Sequence, residues 1–410
     1  MQWRRVKVGR VLKRVALAVA AVQGVTLLTL VAIDQQRKRH RAPARFPRVA
    51  ARSVTAGGSE VTLYTYGEDL YYDMLGAIRQ AKSEIFFETF IWKNDRIGQS
   101  FKRALIEAAD RGVQVYVVYD VFANLVVPRS FFDLPPTIKV RRHPLIASPF
   151  RMVRNSGRDH RKLLVVDHDA AFVGGYNIGS LYATDWRDTH ARLTGDIVWD
   201  MRNAFIDYWN LFAGRHQPAL PDYGSNHWQP DIRVHRNLPR LLVYPIRNMY
   251  LDAIDRASHH IYLTHAYLIP DTNILTALTR AAERGVDVQI IVPAESNHIV
   301  ADWLSRGFYG QLLASGVKLF LYQGAMVHAK TATIDGQWST VGTANMDRMS
   351  LLGNYEINIE VFSSEVARQL EAIFDVDRGN SHQLSATEWN SRHAMVKFSE
   401  TVLAPLRPLL

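Results

Sequence analysis

A chain of 410 residues with 49 Lys and Arg against 39 Asp and Glu carries a formal charge of +10 and no cysteine. The length supports two domain-sized units, and the missing cysteines exclude disulfides and thiolate-bound metals without fixing a compartment. Twelve of the basic residues lie in residues 1–48 beside a single acid, Asp34. The rest of the chain is therefore near neutral, which argues against a general nucleic-acid binder, whose working surface spreads cationic charge.

The first element in chain order is Val15–Ile33, nineteen residues without a charge. As a helix it reaches roughly 28 Å, close to the hydrocarbon thickness of a bilayer. It exits into Asp-Gln-Gln-Arg-Lys-Arg-His-Arg rather than a small-x-small cleavage site, so an uncleaved single-pass anchor is expected rather than a signal peptide. Residues 1–48 are read as this anchor with basic flanks suited to anionic headgroups. Six basic residues on each side leave the charge rule for orientation tied. The expected location is the cell membrane, with the body assigned to the cytoplasmic side.

Past Pro43 and Pro47, residues 49–213 form a first half. A helix is predicted over Leu70–Lys82, a strand over Glu84–Trp92, a helix over Ile97–Asp110 and a strand over Val113–Asp120. Residues 214–239, with four prolines and two glycines, are the expected connection. Residues 240–410 repeat the order, with a helix over Leu242–Ser258, a strand over His260–Ile269, a helix over Asn273–Glu283 and a strand over Val286–Pro293. Arg111-Gly112 and Arg284-Gly285 close equivalent helices, glycine supplying the left-handed cap. Alternating helices and strands imply an α/β fold around buried sheets.

The duplication also appears residue by residue. His160, Lys162, Asp167, Asn177 and Asp188 recur 168 positions later as His328, Lys330, Asp335, Asn345 and Glu356. Each copy reads H-x-K-x4-D, then Gly-x-x-Asn, and each H-x-K runs into an apolar or β-branched stretch (Leu163–Val166; Thr331–Ile334) that reads as a strand, which would place His and Lys on one face. Two histidines, two lysines and two asparagines suit a phosphodiester. The lysines neutralise phosphate, the asparagines donate to its oxygens, one imidazole attacks phosphorus and the other protonates the leaving alkoxide. Ordinary imidazole pKa values near 6.5 allow one neutral and one protonated ring at about neutral pH. Asp188 and Glu356 each follow their histidine by 28 residues and are candidates to orient an imidazole. No metal or other cofactor is needed for this covalent route.

These motifs resemble the phospholipase D superfamily, from about Val49 to the C-terminus. The resemblance implies two α/β halves related by a pseudo-twofold axis, a site at their interface and a phosphohistidine intermediate resolved by an alcohol or by water. It implies His160 and His328 as nucleophile and acid/base, Lys162, Lys330, Asn177 and Asn345 as phosphate-binding, and Asp188 and Glu356 as orienting. Asp167 and Asp335 belong to the motif and are read as stabilising local structure. The phrases Met326-Val327-His328-Ala329-Lys330-Thr331, Val341-Gly342-Thr343-Ala344-Asn345-Met346-Asp347 and Asn354-Tyr355-Glu356 resemble bacterial cardiolipin synthases. Those enzymes move a phosphatidyl group from one phospholipid onto phosphatidylglycerol. The partners so implied are phosphatidylglycerol, a second phospholipid donor and the membrane, with no nucleic acid. The alternatives are a phospholipid hydrolase using the same residues and, third, a nucleic-acid phosphodiesterase. Glu88 either faces the site or holds a local network. Phe131-Phe132…Leu134 and Leu145–Val153 are read as ordinary core, with acyl-chain binding as the second reading.

Overall fold

The computed structural model describes residues 44–145, 157–214, 217–222, 224 and 230–392, together with 13, 17, 21–26, 28–29, 32, 35–36 and Val402. Of the expected anchor Val15–Ile33, the described positions 17, 21–26, 28–29 and 32 are helical, while the stretch Leu145–Val153 lies outside the described residues apart from Leu145. Among the described residues no helix is long and apolar enough to cross a membrane.

The first half supplies strands β1 (Ser53–Ala56), β2 (Ser59–Tyr64), β3 (Glu84–Thr89), β4 (Gln114–Asp120), β5 (Ile138–His143), β6 (Leu163–Val166), β7 (Ala170–Gly174), β8 (Trp186–Arg187) and β9 (His190–Gly195). The second supplies β10 (Ile232–Asn237), β11 (His260–His265), β12 (Leu268–Ile269), β13 (Asp287–Pro293), β14 (Lys318–Tyr322), β15 (Met326–Val327), β16 (Lys330–Ile334), β17 (Trp338–Gly342), β18 (Met346–Asp347), β19 (Glu356–Phe362) and β20 (Ser381–Leu384). Two eight-stranded mixed sheets result, ordered β1-β2-β9-β7-β6-β3-β4-β5 and β10-β19-β17-β16-β11-β13-β14-β20. From β2 and from β10 onward the two orders match strand for strand, which is the duplication in three dimensions.

The correspondence corrects one boundary. Strand β10 falls inside the expected connection 214–239, yet it pairs antiparallel with β19, Asn237 opposite Glu356, in the place that β2 takes in the first sheet. The second half therefore starts at residue 232. Alternating exposure in Ile232–Asn237 is weak, and the nearby prolines masked it.

Three packed layers of side chains build the body. Helices Gly67–Gln80 and Arg96–Asp110 bury Leu70, Met74, Phe101 and Leu105 on one face of the first sheet. Helices Pro245–Arg256 and Thr272–Glu283 cover the second sheet with Ile246, Ile254, Ile274 and Leu278. Between the sheets a shared core joins Val61, Phe86, Leu163, Val173 and Leu193 to Val341, Ile357 and Ile359, with helix Ile197–Leu211 packed into it. Such a core, common to both halves, makes them one folding unit. Phe131 and Phe132 pack on Trp92 in the first-half core, as ordinary packing predicts.

Gly112 and Gly285 follow their helices at φ +91° and +93°, the left-handed position the Arg-Gly phrases predict. Strand β3 stops at Thr89 rather than Trp92, because the Ile91 and Trp92 N–H groups donate to the side chains of Asn177 and Asn124 instead of a ladder partner. The predicted helix Leu242–Ser258 starts late, at Pro245, since the preceding residues close a turn through the Leu238–Val243 bridge.

Candidate active site

His160 and His328 do not stand on the motif strands as expected. Each lies in the extended lead-in to β6 or β16, where its N–H bonds a carbonyl of the other half: His160 N donates to Tyr355 O (3.0 Å) and His328 N to Arg187 O (2.7 Å). Short parallel pairings frame them, Asp159 with Tyr355 and β15 with β8. These two seams, related by the same 168-residue shift, bring the two motifs together.

The carboxylates cross between the halves. His160 Nδ1 lies 2.9 Å from both carboxylate oxygens of Glu356, and His328 Nδ1 lies 2.6 Å from Asp188 Oδ2. Each acid thus serves the histidine of the opposite copy, not the one it follows in sequence. With Nδ1–H donated to a carboxylate, Nε2 of each ring is the nitrogen left for chemistry. All four side chains are buried, as are the lysines that join them.

Small local features make the crossing possible. The ideal Cβ of any residue at Gly175 would lie 2.0 Å from Asp188 Oδ1, so only glycine lets that short carboxylate approach. The equivalent position in the second half is Thr343, whose hydroxyl donates to Glu356 Oε2 at 2.5 Å and so steadies the longer acid. Ring faces are held by Phe90 against His160 (centroids 4.7 Å) and Trp186 against His328 (4.8 Å). Thr343 was findable from the repeat alignment; Phe90 and Trp186 have no repeat signal and had none in sequence.

Lys162 Nζ donates to His160 O (2.6 Å), and Lys330 Nζ donates to His328 O and lies 2.9 Å from His328 Nδ1. Since that Nδ1 proton is directed at Asp188, we read the latter distance as contact rather than donation. Asn177 Oδ1 accepts from Ile91 N (3.2 Å), which leaves its amide N–H groups for another acceptor; Asn345 Oδ1 is buried without a partner among the described residues.

Electrostatics are dominated by burial. It lowers the Lys162 ammonium to about 7 against the pull of Glu356, and Lys330 to about 8 against Asp188. Burial raises Glu356 to about 7, opposed by Lys162. It would raise Asp188 too, but Lys330 and His328 outweigh it and keep that carboxyl below its ordinary value. Burial and then the nearby lysines push both imidazoles down, His328 to about 3 and His160 well below its ordinary value. In the substrate-free site both shifts favour the neutral imidazole, so a proton on one ring has to arrive with the anionic substrate.

Asp167 and Asp335 lie apart from this chemistry. Each has φ +53°, and each carboxylate collects backbone donors, Asp167 from Lys82, Ser83 and Glu84, and Asp335 from Ser258, His259 and His260. They tie the motif turn to the start of β3 in the first half and of β11 in the second. Glu88 forms a buried two-pronged pair with Arg161 (2.9 and 2.5 Å), the local network of the two readings. Among the described residues no cluster of His, Asp and Glu is placed to hold a metal.

Two histidine–lysine half-sites, meeting across a pseudo-twofold seam and each completed by the other half's acid, define a phospholipase D-like enzyme. The sequence profile of the cardiolipin synthase PLD-like domain matches residues 74–191 and 250–378. The cardiolipin synthase of Listeria monocytogenes serotype 4b (strain CLIP80459) is 31% identical over 391 residues, covering 92% of this chain and 81% of that protein. The major cardiolipin synthase ClsA of Bacillus subtilis (strain 168) is 31% identical over 373 residues, covering 87% and 77%. Among solved structures, phosphatidylserine synthase of Haemophilus influenzae Rd KW20 shares the fold at a TM-score of 0.66 and 15% identity, covering 88% of this chain and 94% of that one. The chain belongs to the cardiolipin synthase family of phospholipase D-like phosphatidyltransferases.

Proposed function

We propose that the protein forms cardiolipin from phosphatidylglycerol and a second phospholipid donor at the cell membrane, through a phosphohistidine. The observation that carries this reading is the crossed pairing of His160 with Glu356 and His328 with Asp188, which presents two Nε2 atoms on a single lysine-lined site. His160 Nε2 attacks the donor phosphorus, the P–O bond to the departing alcohol breaks, and His328, which takes up a proton on Nε2 together with the anionic phosphodiester, gives that proton to the alkoxide. The glycerol hydroxyl of phosphatidylglycerol then loses its proton to His328 and attacks phosphorus, which breaks the P–N bond and frees His160.

The two acids support this assignment of roles. Asp188, held ionised, stabilises an imidazolium on His328, the ring that carries the proton between steps. Glu356, with its carboxyl pushed up to about 7, stabilises a cation less and favours the neutral, nucleophilic form of His160. The phosphodiester's negative charge opposes the burial and the lysines that hold both rings down. Lys162 and Lys330 bind its oxygens through their ammonium groups, and Asn177 and Asn345 through their amide N–H groups. Residues 1–48 serve as a single-pass anchor, with the body on the cytoplasmic side.

The test is to incubate the purified chain with phosphatidylglycerol and resolve products by mass spectrometry. Cardiolipin with glycerol is expected; phosphatidic acid alone would make the enzyme a hydrolase. Acid quench with labelled donor and peptide mapping should place phosphorus on His160, and phosphorus on His328 would reverse the roles.

A further inference from the structure

One end of the body combines exposed apolar side chains with cationic ones. The loop after β4 exposes Phe122 (54%), Leu125 (59%) and Val126 (82%). The turn after β10 exposes Leu241, Leu242 and Val243, with Leu242 held at φ +59°, a conformation costly for a branched-chain residue. Met349 and Leu352 are exposed on helix Arg348–Leu352. Isolated apolar residues on a surface are ordinary, but three neighbouring segments of them are not.

These segments border the active site. Asn124 donates to Phe90 O (2.8 Å), and the Phe90 ring packs on His160. Asn237, paired in register with Glu356, leads into the turn and donates to Ser350 O (3.0 Å), which fixes the turn to the helix. The charge pattern points the same way. Residues 121–129, 238–243 and 348–352 contain no acid, and Arg129, Arg240 and Arg348 are exposed among them. Acids stand at the far end of β10 and of β9. Asp231 precedes β10, and Asp196 follows β9, whose opposite end carries Asp188.

We propose that this end is a docking surface for an anionic lipid bilayer, separate from residues 1–48, with Phe122, Leu125, Val126 and Leu241–Val243 entering the acyl region and the arginines meeting headgroups. The inference rests on the proposed lipid activity. Buried imidazoles reach a membrane phosphodiester only if the mouth of the site lies against the interface, and apolar side chains ringed by arginine match such a surface.

Because the chain has no cysteine, single labels are clean. The full chain carrying Val126→Cys, Leu241→Cys or Asp110→Cys is labelled with an environment-sensitive fluorophore and reconstituted in phosphatidylglycerol vesicles containing lipids spin-labelled on the acyl chain. Asp110 lies beyond the far end of β4, about 20 Å from the loop. Quenching at 126 and 241 but not at 110 is expected. No quenching at 126 and 241, equal quenching at 110, or a shielded label without lipid quenching (the result of contact with a second copy) would each overturn the proposal. In a second arm, Val126→Asp with Leu241→Asp should lower turnover of bilayer phosphatidylglycerol at least tenfold while sparing a short-chain monomeric analogue; equal loss on both substrates overturns it. Failure of the wild-type chain to make cardiolipin refutes the proposed activity instead, and the quenching pattern is read independently of it.

Discussion

Glu356 and Asp188 hold their imidazoles from opposite halves, and the effects of replacing them should separate accordingly. In chain labelled with ¹⁵N-histidine, Glu356→Gln should alter the Nδ1–H signal of His160 and leave that of His328, while Asp188→Asn should do the reverse. Either change is expected to lower turnover about 10²- to 10⁴-fold, the range for a lost proton-transfer or orienting group. Effects on the sequence-adjacent histidines would contradict the crossed pairing. The lysines make a second point. Folding holds the Lys162 ammonium at about 7 against an ordinary 10.5, so from pH 7 to 10.5 the unfolded chain carries a proton the folded one lacks, and stability contributed by this group rises with pH. Glu356 works in the other sense: between its ordinary 4.5 and about 7 the folded chain keeps a proton the unfolded chain has lost, so stability falls as pH rises. Both costs are in force together near neutral pH, where the site must work. Lys162→Met should therefore raise the thermal midpoint at pH 7, with the gap over wild type narrowing toward pH 10, while abolishing turnover. A lowered midpoint would mean that the buried ammonium is a net stabiliser.

At the scale of elements, the repeated aspartates act as clamps. Asp335 lies in the left-handed region and accepts from three consecutive backbone N–H groups and the Ser258 hydroxyl. Those donors hold its carboxyl below the ordinary value although burial opposes them, so its stabilisation is present above about pH 3.8 and is lost as pH falls through the folded value. Asp335→Ala should cost about 2–3 kcal/mol in denaturant unfolding, from lost bonds and a strained alanine, and Asp335→Asn less. Equal losses would show that backbone strain contributes nothing. A local structural role was the expectation for these aspartates, but motif membership assigns no geometry, and the left-handed turn with its backbone donors appears only in the fold. The strands read from the sequence, β3, β4, β6, β11, β13 and β16, were placed to within a few residues, whereas the half-exposed pattern and proline-rich approach of β10 read as a connection.

At the scale of the whole molecule, a buried ion pair next to the site also links the halves. Arg187 of the first half meets Asp377 of helix Ser364–Gly379 in two bonds (3.0 and 2.6 Å), both residues buried. Asp377→Ala leaves a buried guanidinium unpaired and should cost about 3–5 kcal/mol. Since Arg187 also donates to Thr189 Oγ1 (2.9 Å) and its carbonyl receives His328 N, activity should fall with stability. Unchanged unfolding in Asp377→Ala would mean that water solvates Arg187.

The amino-acid sequence by itself determined the duplication, the residue types of the site and the phosphodiester chemistry, because repeated spacing and side-chain chemistry are local properties of the chain. It could not determine which acid serves which histidine. A 28-residue separation within each copy suggests a pairing inside the half, whereas contacts between sheets are set by packing of a core that both halves share. The same holds for the exposed end: Phe122, Leu241 and Met349 are scattered over more than two hundred positions, and only the matching direction of β4 and β10 gathers them around one mouth.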